Sequence, residues 1–169
     1  MKSLAFAKTY AEKCMTGLGQ GMVRIFLEGA ASEVEGKCDE ASERHRLYLE
    51  NAPCILNVGS KVHQCNKIIA AVLEVARDAD IKQRIPQSCC FVSDYEDCVV
   101  SALSECGKGA MDYGKTVIEG YAGDLLHSVC RKWRHGSTQC RSLPKLKPHE
   151  SPKYKTLLPP LVEVLQTLA

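Results

Sequence analysis

The stretch ILNVGSKVHQCNKIIAAVLEVAR, from Ile55 to Arg77, decides the fold. Its apolar positions Ile55, Val58, Val62, Cys65, Ile69, Val72 and Ala76 advance by three or four residues, which puts them on one continuous face of an α-helix. Cys65 lies on that face, so its sulfur points toward a neighbouring helix, where a bridge can form. The same period recurs in both directions. Downstream, Ser93-Asp94-Tyr95-Glu96 matches a capping box: the serine oxygen accepts from the amide three residues on, and Glu96 reaches back. The helix it opens carries Tyr95, Cys98, Val99, Ala102, Leu103 and Cys106 on one stripe. A further helix over Ala110–Cys130 turns Tyr113, Val117, Tyr121, Leu125 and Val129 inward. Its Gly114, Gly120 and Gly123 each lower helix propensity by about 1 kcal/mol relative to Ala, and they permit close helix packing.

Upstream, Leu4–Cys14 and Met22–Ala31 are helical in pattern, with Gly17-Leu18-Gly19-Gln20-Gly21 as a break between them. Asp39–Glu50 reads as a short charged helix anchored by Leu47 and stopped by Asn51-Ala52-Pro53, because the residue before a proline avoids helical geometry. Residues 78–90, with Asp78, Asp80, Pro86 and Cys89-Cys90, read as a connecting loop. No β-alternation or fixed repeat appears. The predicted architecture is all-α, a disulfide-stapled bundle of five or six helices. It divides into a disulfide-linked helical domain over 1–135 and a basic, Pro-rich tail over 136–169 with a short terminal helix.

The ten cysteines are Cys14, Cys38, Cys54, Cys65, Cys89, Cys90, Cys98, Cys106, Cys130 and Cys140. An even, dispersed set without CxxC repeats predicts a disulfide framework formed in an oxidising compartment. All ten are expected to pair, giving five bridges worth roughly 2–4 kcal/mol each. Adjacent Cys89 and Cys90 are expected to reach two different partners. The connectivity stays open. A chain of 169 residues buries a sizeable core unaided, so this many bridges suits a protein exposed to proteases and dilution.

The compartment implied by sulfur conflicts with the amino terminus. Lys8 interrupts the apolar run Leu4–Ala7, which is shorter than the centre of a secretory leader, so a leader missing from this chain is the expectation. No Asn-x-Ser/Thr sequon occurs, and no apolar run approaches the roughly 18–20 residues that cross a bilayer. The net charge of +2 conceals an asymmetry: residues 1–130 are net acidic, whereas Arg131–Lys155 holds eight basic side chains and one acidic one. The acidic body repels phosphate, so Arg131-Lys132-Trp133-Arg134 is not read as a nucleic-acid site.

Motifs of catalysis are absent or incomplete. Cys89-Cys90 and the residues to Cys98 invite comparison with secreted phospholipases A2, but Ser93 stands where their general-base histidine belongs, and only Asp94 matches. His127, Cys130, His135 and Cys140 have zinc-ligand chemistry, yet disulfide formation competes for the sulfurs and Arg131, Lys132 and Arg134 oppose a cation. Asp94 and Asp97 are explained by helix capping. For a hydrolase assembled across helices, the local candidates are His45 with Glu43 or Asp39, and His127 with Asp124. No nucleotide-binding glycine motif or cofactor motif occurs.

The cysteines of CCFVSDYEDCVVSALSECGKGAMDYGKTVIEGYAGDLLHSVC, with Cys38, Cys54 and Cys65 upstream, resemble those of secreted arthropod proteins related to the 27 kDa hemolymph glycoprotein. The resemblance covers roughly residues 38–130 and rests on cysteine spacing along helices. It implies a secreted, helical, disulfide-rich protein of a circulating fluid, gland, venom or silk, and it transfers no residue role. Odorant-binding proteins are disfavoured by the cysteine gaps of 23, 15, 10, 23, 0, 7, 7, 23 and 9 residues.

The leading expectation is a non-enzymatic structural or interaction component of an extracellular fluid or fibre, with self-association or other extracellular proteins as partners. The alternative is a carrier of a small apolar ligand between helices, and a secreted hydrolase comes third. A solid core is expected in place of a cavity.

Overall fold

A computed structural model describes residues 2–147, 149 and 151–167. The chain is all-α, and the described residues contain no strand. Six helices of 13 residues or more form the body: α1 (Lys2–Cys14), α2 (Gly17–Cys38), α3 (Glu43–Asn57), α4 (Gly59–Asp78), α5 (Ile81–Leu103) and α6 (Lys108–Ser128). A 3₁₀ turn, Ser104–Cys106, follows α5. Two short helices complete the bundle, α7 (Thr138–Arg141) and α8 (Leu158–Gln166).

Several local expectations fail, beginning with Gly17–Gly21, which opens α2 instead of separating it from the helix before. Pro53 does not stop α3, which runs on to Asn57. The proline deprives the Leu49 carbonyl of its amide partner, but Pro53 and Leu49 are both exposed, where the carbonyl is accessible to solvent. The chain bends instead at Val58, and the stripe from Ile55 to Ala76 is shared between α3 and α4. Residues 81–90 are not a loop. The Asp80 side chain accepts from the Lys82 amide at 2.9 Å, and α5 starts there and passes through Pro86. Burial of Gln87, Ser88, Cys89 and Cys90 offsets the lost bond. The capping box at Ser93 therefore does not form. Ser93 sits buried in mid-helix, where its hydroxyl accepts the backbone N–H of His135 at 2.8 Å.

Four disulfides join the elements. Cys54–Cys106 ties α3 to the 3₁₀ turn, Cys65–Cys98 ties α4 to α5, Cys89–Cys130 ties α5 to the end of α6, and Cys90–Cys140 ties α5 to α7. The adjacent pair thus reaches two partners. The expected fifth bridge is absent: Cys14 and Cys38 are unpaired and exposed. Cys14 precedes α2 and Cys38 ends it, and the 22 residues of α2 span roughly 33 Å at ~1.5 Å per residue. A disulfide needs Cα atoms within about 7 Å, so these two cannot meet inside one chain.

Glycines set the closest crossings. A Cβ on Gly29 of α2 would stand 2.6 Å from the Gly120 carbonyl oxygen of α6, and one on Gly19 would collide with the Leu165 carbonyl of α8. That second contact shows where the basic segment ends. α8 is packed into the bundle, with Val164 and Leu165 buried against α2 and α4. The chain leading to it is held by Glu74 of α4, 3% exposed, whose carboxyl oxygens accept the backbone N–H groups of Lys153 (3.1 Å) and Tyr154 (2.5 Å). Glu163 of α8 pairs with Arg77 of α4.

Candidate functional site

The core is not solid. α2 and α6 meet closely at Gly29 and Gly120, and α5 and α6 at Gly114 against Leu103. The space left is an apolar cavity of ≈ 330 Å³. Met22 and Phe26 of α2, Ile69 of α4, Ile85, Val92 and Tyr95 of α5, and Ile118, Tyr121, Ala122 and Leu126 of α6 line it. Leu161, Val164 and Leu165 of α8 close one side, and Leu158, 46% exposed, stands at its rim. The Cys89–Cys130 bridge forms part of the wall and fixes the spacing of α5 and α6 there. Native interiors hold few voids larger than a water molecule. This one holds the volume of about eleven waters at roughly 30 Å³ each.

Among the described residues, no aspartate, glutamate, histidine, lysine or arginine lines the cavity. Its polar side chains are Ser88, Tyr95 and Tyr121. The Tyr95 hydroxyl donates to Asn66 Oδ1 at 2.8 Å, and burial raises its pKa above the ordinary phenol value. Burial also raises that of Tyr121, with the nearby Glu33 carboxylate adding to the effect. Ser88 is buried, and its hydroxyl has no hydrogen-bond partner among the described residues. The arrangement suits binding of hydrocarbon far better than proton transfer.

The sequence candidates for chemistry lie elsewhere. Cys130 and Cys140 are consumed by disulfides, which removes both sulfurs from the His127–Cys130–His135–Cys140 set. Among the described residues no group of three or more His, Cys, Asp or Glu side chains could hold a metal ion. His45 Nδ1 is 2.7 Å from the Lys37 carbonyl oxygen, a backbone contact in place of a carboxylate. His127 is exposed.

Two histidines meet carboxylates: His149 Nε2 lies 3.5 Å from Asp78 Oδ2, and His135 meets two. Its Nδ1 is 2.6 Å from Asp94 Oδ1, and its Nε2 is 3.9 Å from Asp97 Oδ2. Ser93 is adjacent, but its hydroxyl binds the His135 backbone and leaves the imidazole alone. The ring is 57% exposed, so the group pins the 131–137 turn to α5 and does not make a nucleophilic centre. The 41-residue separation of Asp94 and His135 hid this pair from sequence reading. The Asp94 hydrogen bond holds the His135 imidazolium above the usual 6.5. The raised folded-state pKa means the pair adds stability that is fully present below pH 6.5 and disappears as pH climbs through that higher value. In an NMR titration His135 should show a midpoint above 6.5, and Asp94→Asn should return it toward 6.5. An unshifted midpoint in the parent protein refutes the pairing.

No helix among the described residues is long and apolar enough to cross a membrane. Compared with protein families, curated proteins and solved structures, the chain matches none of them.

Proposed function

We propose that the protein is a carrier of a small apolar molecule, held in the cavity between α2, α4, α5, α6 and α8, in an extracellular fluid. The observation that carries this reading is the ≈ 330 Å³ space walled by hydrocarbon, with no charged side chain among the described residues that line it. Engineered apolar cavities about half that size stay dry and take up hydrocarbon ligands. The four disulfides support an oxidising, extracellular setting, as does the cysteine spacing that resembles the hemolymph glycoprotein group. α8, which closes one side of the cavity, is held by none of the four bridges.

The test is fluorescence titration with N-phenyl-1-naphthylamine on protein stripped of ligand. A saturable blue-shifted signal is expected, and Ala122→Trp, which fills the space from α6, should lower the affinity at least tenfold while leaving the helical circular dichroism intact. Absence of a saturable signal, or equal binding by the tryptophan variant, refutes the carrier reading.

Two unpaired thiols favour a second reading, in which the protein is a structural or interaction component linked to other copies or other extracellular proteins. Cys14 and Cys38 are exposed at opposite ends of α2. Each intermolecular bridge would release two protons and two electrons to a disulfide oxidant such as oxidised glutathione. Under native non-reducing conditions two of the ten cysteines should react with an aromatic disulfide reagent, and the full ten only after reduction. With oxidised glutathione at high protein concentration the second reading predicts disulfide-linked oligomers on non-reducing gels, lost in the Cys14→Ser/Cys38→Ser variant. Oligomers that persist in that variant, or a protein that stays monomeric, argue against it.

A further inference from the structure

Resting on the carrier reading, we infer that the ligand is a neutral aliphatic molecule with one hydroxyl or carbonyl oxygen, and that Ser88 binds that oxygen. Ser88 is 6% exposed, lines the cavity, and leaves its hydroxyl without a hydrogen-bond partner among the described residues. Buried polar groups are normally paired, so an exception asks for a partner supplied from outside the chain. The usual internal solution for a helical hydroxyl is a bond to the carbonyl four residues earlier. This protein uses it repeatedly: Thr9 bonds to Ala5, Thr116 to Asp112, and Ser128 to Asp124. Those three are exposed, whereas Ser88, inside the bundle, makes no such bond.

The rest of the wall narrows the ligand class. Tyr95 already spends its hydroxyl proton on Asn66. Among the described residues no cationic side chain lines the cavity, so none of them offsets the desolvation of a carboxylate, and a fatty acid anion is rejected. The volume of ≈ 330 Å³ accommodates roughly eleven water-sized groups, which is a chain of about ten carbons with its oxygen. A serine hydroxyl both donates and accepts, so it serves an alcohol or a carbonyl equally.

Competition against N-phenyl-1-naphthylamine by 1-decanol, decanoate and butylbenzene tests the assignment. The parent protein should bind 1-decanol at least tenfold more tightly than decanoate at pH 8. Ser88→Ala should weaken 1-decanol about tenfold and leave butylbenzene unchanged, while Ser88→Thr, which keeps the hydroxyl, should restore most of the alcohol affinity. Without ligand, Ser88→Ala should melt at the parental temperature or above it, because it removes an unpaired buried hydroxyl. If neither 1-decanol nor butylbenzene competes with the probe on the parent protein, the cavity is not a ligand site and the carrier reading falls as well. If both compete and Ser88→Ala weakens them equally, or weakens neither, the carrier reading stands and the Ser88 assignment is wrong. Decanoate binding as tightly as 1-decanol likewise overturns the ligand class.

Discussion

Alanine at Gly29 should destabilise the protein by about 3 kcal/mol, the upper end of the usual cost of overpacking, although alanine is the better helix former by ~1 kcal/mol. The added methyl would meet the Gly120 carbonyl oxygen at 2.6 Å and the Tyr121 carbonyl oxygen at 2.9 Å. Both are backbone atoms of α6 and cannot rotate away, so α2 and α6 must move apart. Gly120 has its own reason to be glycine, since the Glu33 side chain fills the place a Cβ would take. Glu33 is 1% exposed, and its partners Arg44 (3.2 Å) and Lys37 (3.7 Å) hold it there. Gly21, two turns earlier in α2, provides the contrast: it is exposed, has no atom within 4 Å of its ideal Cβ, and lacks a positive φ. Gly21→Ala should therefore stabilise by about 0.5–1 kcal/mol. The two substitutions share a helix and a chemistry and should have opposite signs in urea melts. Equal signs would mean that the α2–α6 crossing is not as close as described.

Removing Glu74 should be comparably costly and should act at a distance from its own helix. Its two carboxyl oxygens hold the amides of Lys153 and Tyr154, and the carboxyl is buried. Hydrogen bonds to a charged group are worth about 1.5–3 kcal/mol each, and the amides left behind lose their partner, so Glu74→Ala should cost about 3 kcal/mol or more. Glu74→Gln keeps one acceptor oxygen and should lose roughly half as much. The strap it holds leads into α8, which closes one side of the cavity with Leu161, Val164 and Leu165. Glu74→Ala should thus accelerate amide exchange across 153–166 and weaken the fluorescent probe, with α5 and α6 protected as before by their bridges. A variant within ~0.5 kcal/mol of the parent, with α8 exchange unchanged, would show that the strap does not depend on this carboxyl.

These two sites mark the limit of what periodicity reveals. The apolar stripes on α4, α5 and α6 were legible because each helix repeats its inward face every three or four residues. The Cys89-Cys90 pair announced two partners because adjacent cysteines rarely bond to each other, although their segment reads as a loop from sequence. Pro86 and the Ser93 capping box misled because local preferences worth a few kcal/mol or less yield to neighbouring helices that bury residues 87–90 and Ser93, whereas Pro53 was tolerated on an exposed face. Cys14 and Cys38 misled through arithmetic, since an even count contains no distances. The cavity was foreseen only as an alternative to a solid core, and Ser88 was not foreseen, because a serine on an apolar stripe looks like any other interruption.

Sequence alone determined that this chain forms amphipathic helices and ties them with disulfides, because side-chain period and cysteine content are properties of neighbours along the backbone. The tertiary structure alone decided which sulfurs meet, that α8 closes the bundle, and that a largely hydrocarbon hollow with the unpartnered Ser88 hydroxyl in its wall lies between the helices. Those features depend on how far apart packed helices stand, and that spacing is set by glycines, bridges and strapping contacts between segments as distant in sequence as Gly19 and Leu165.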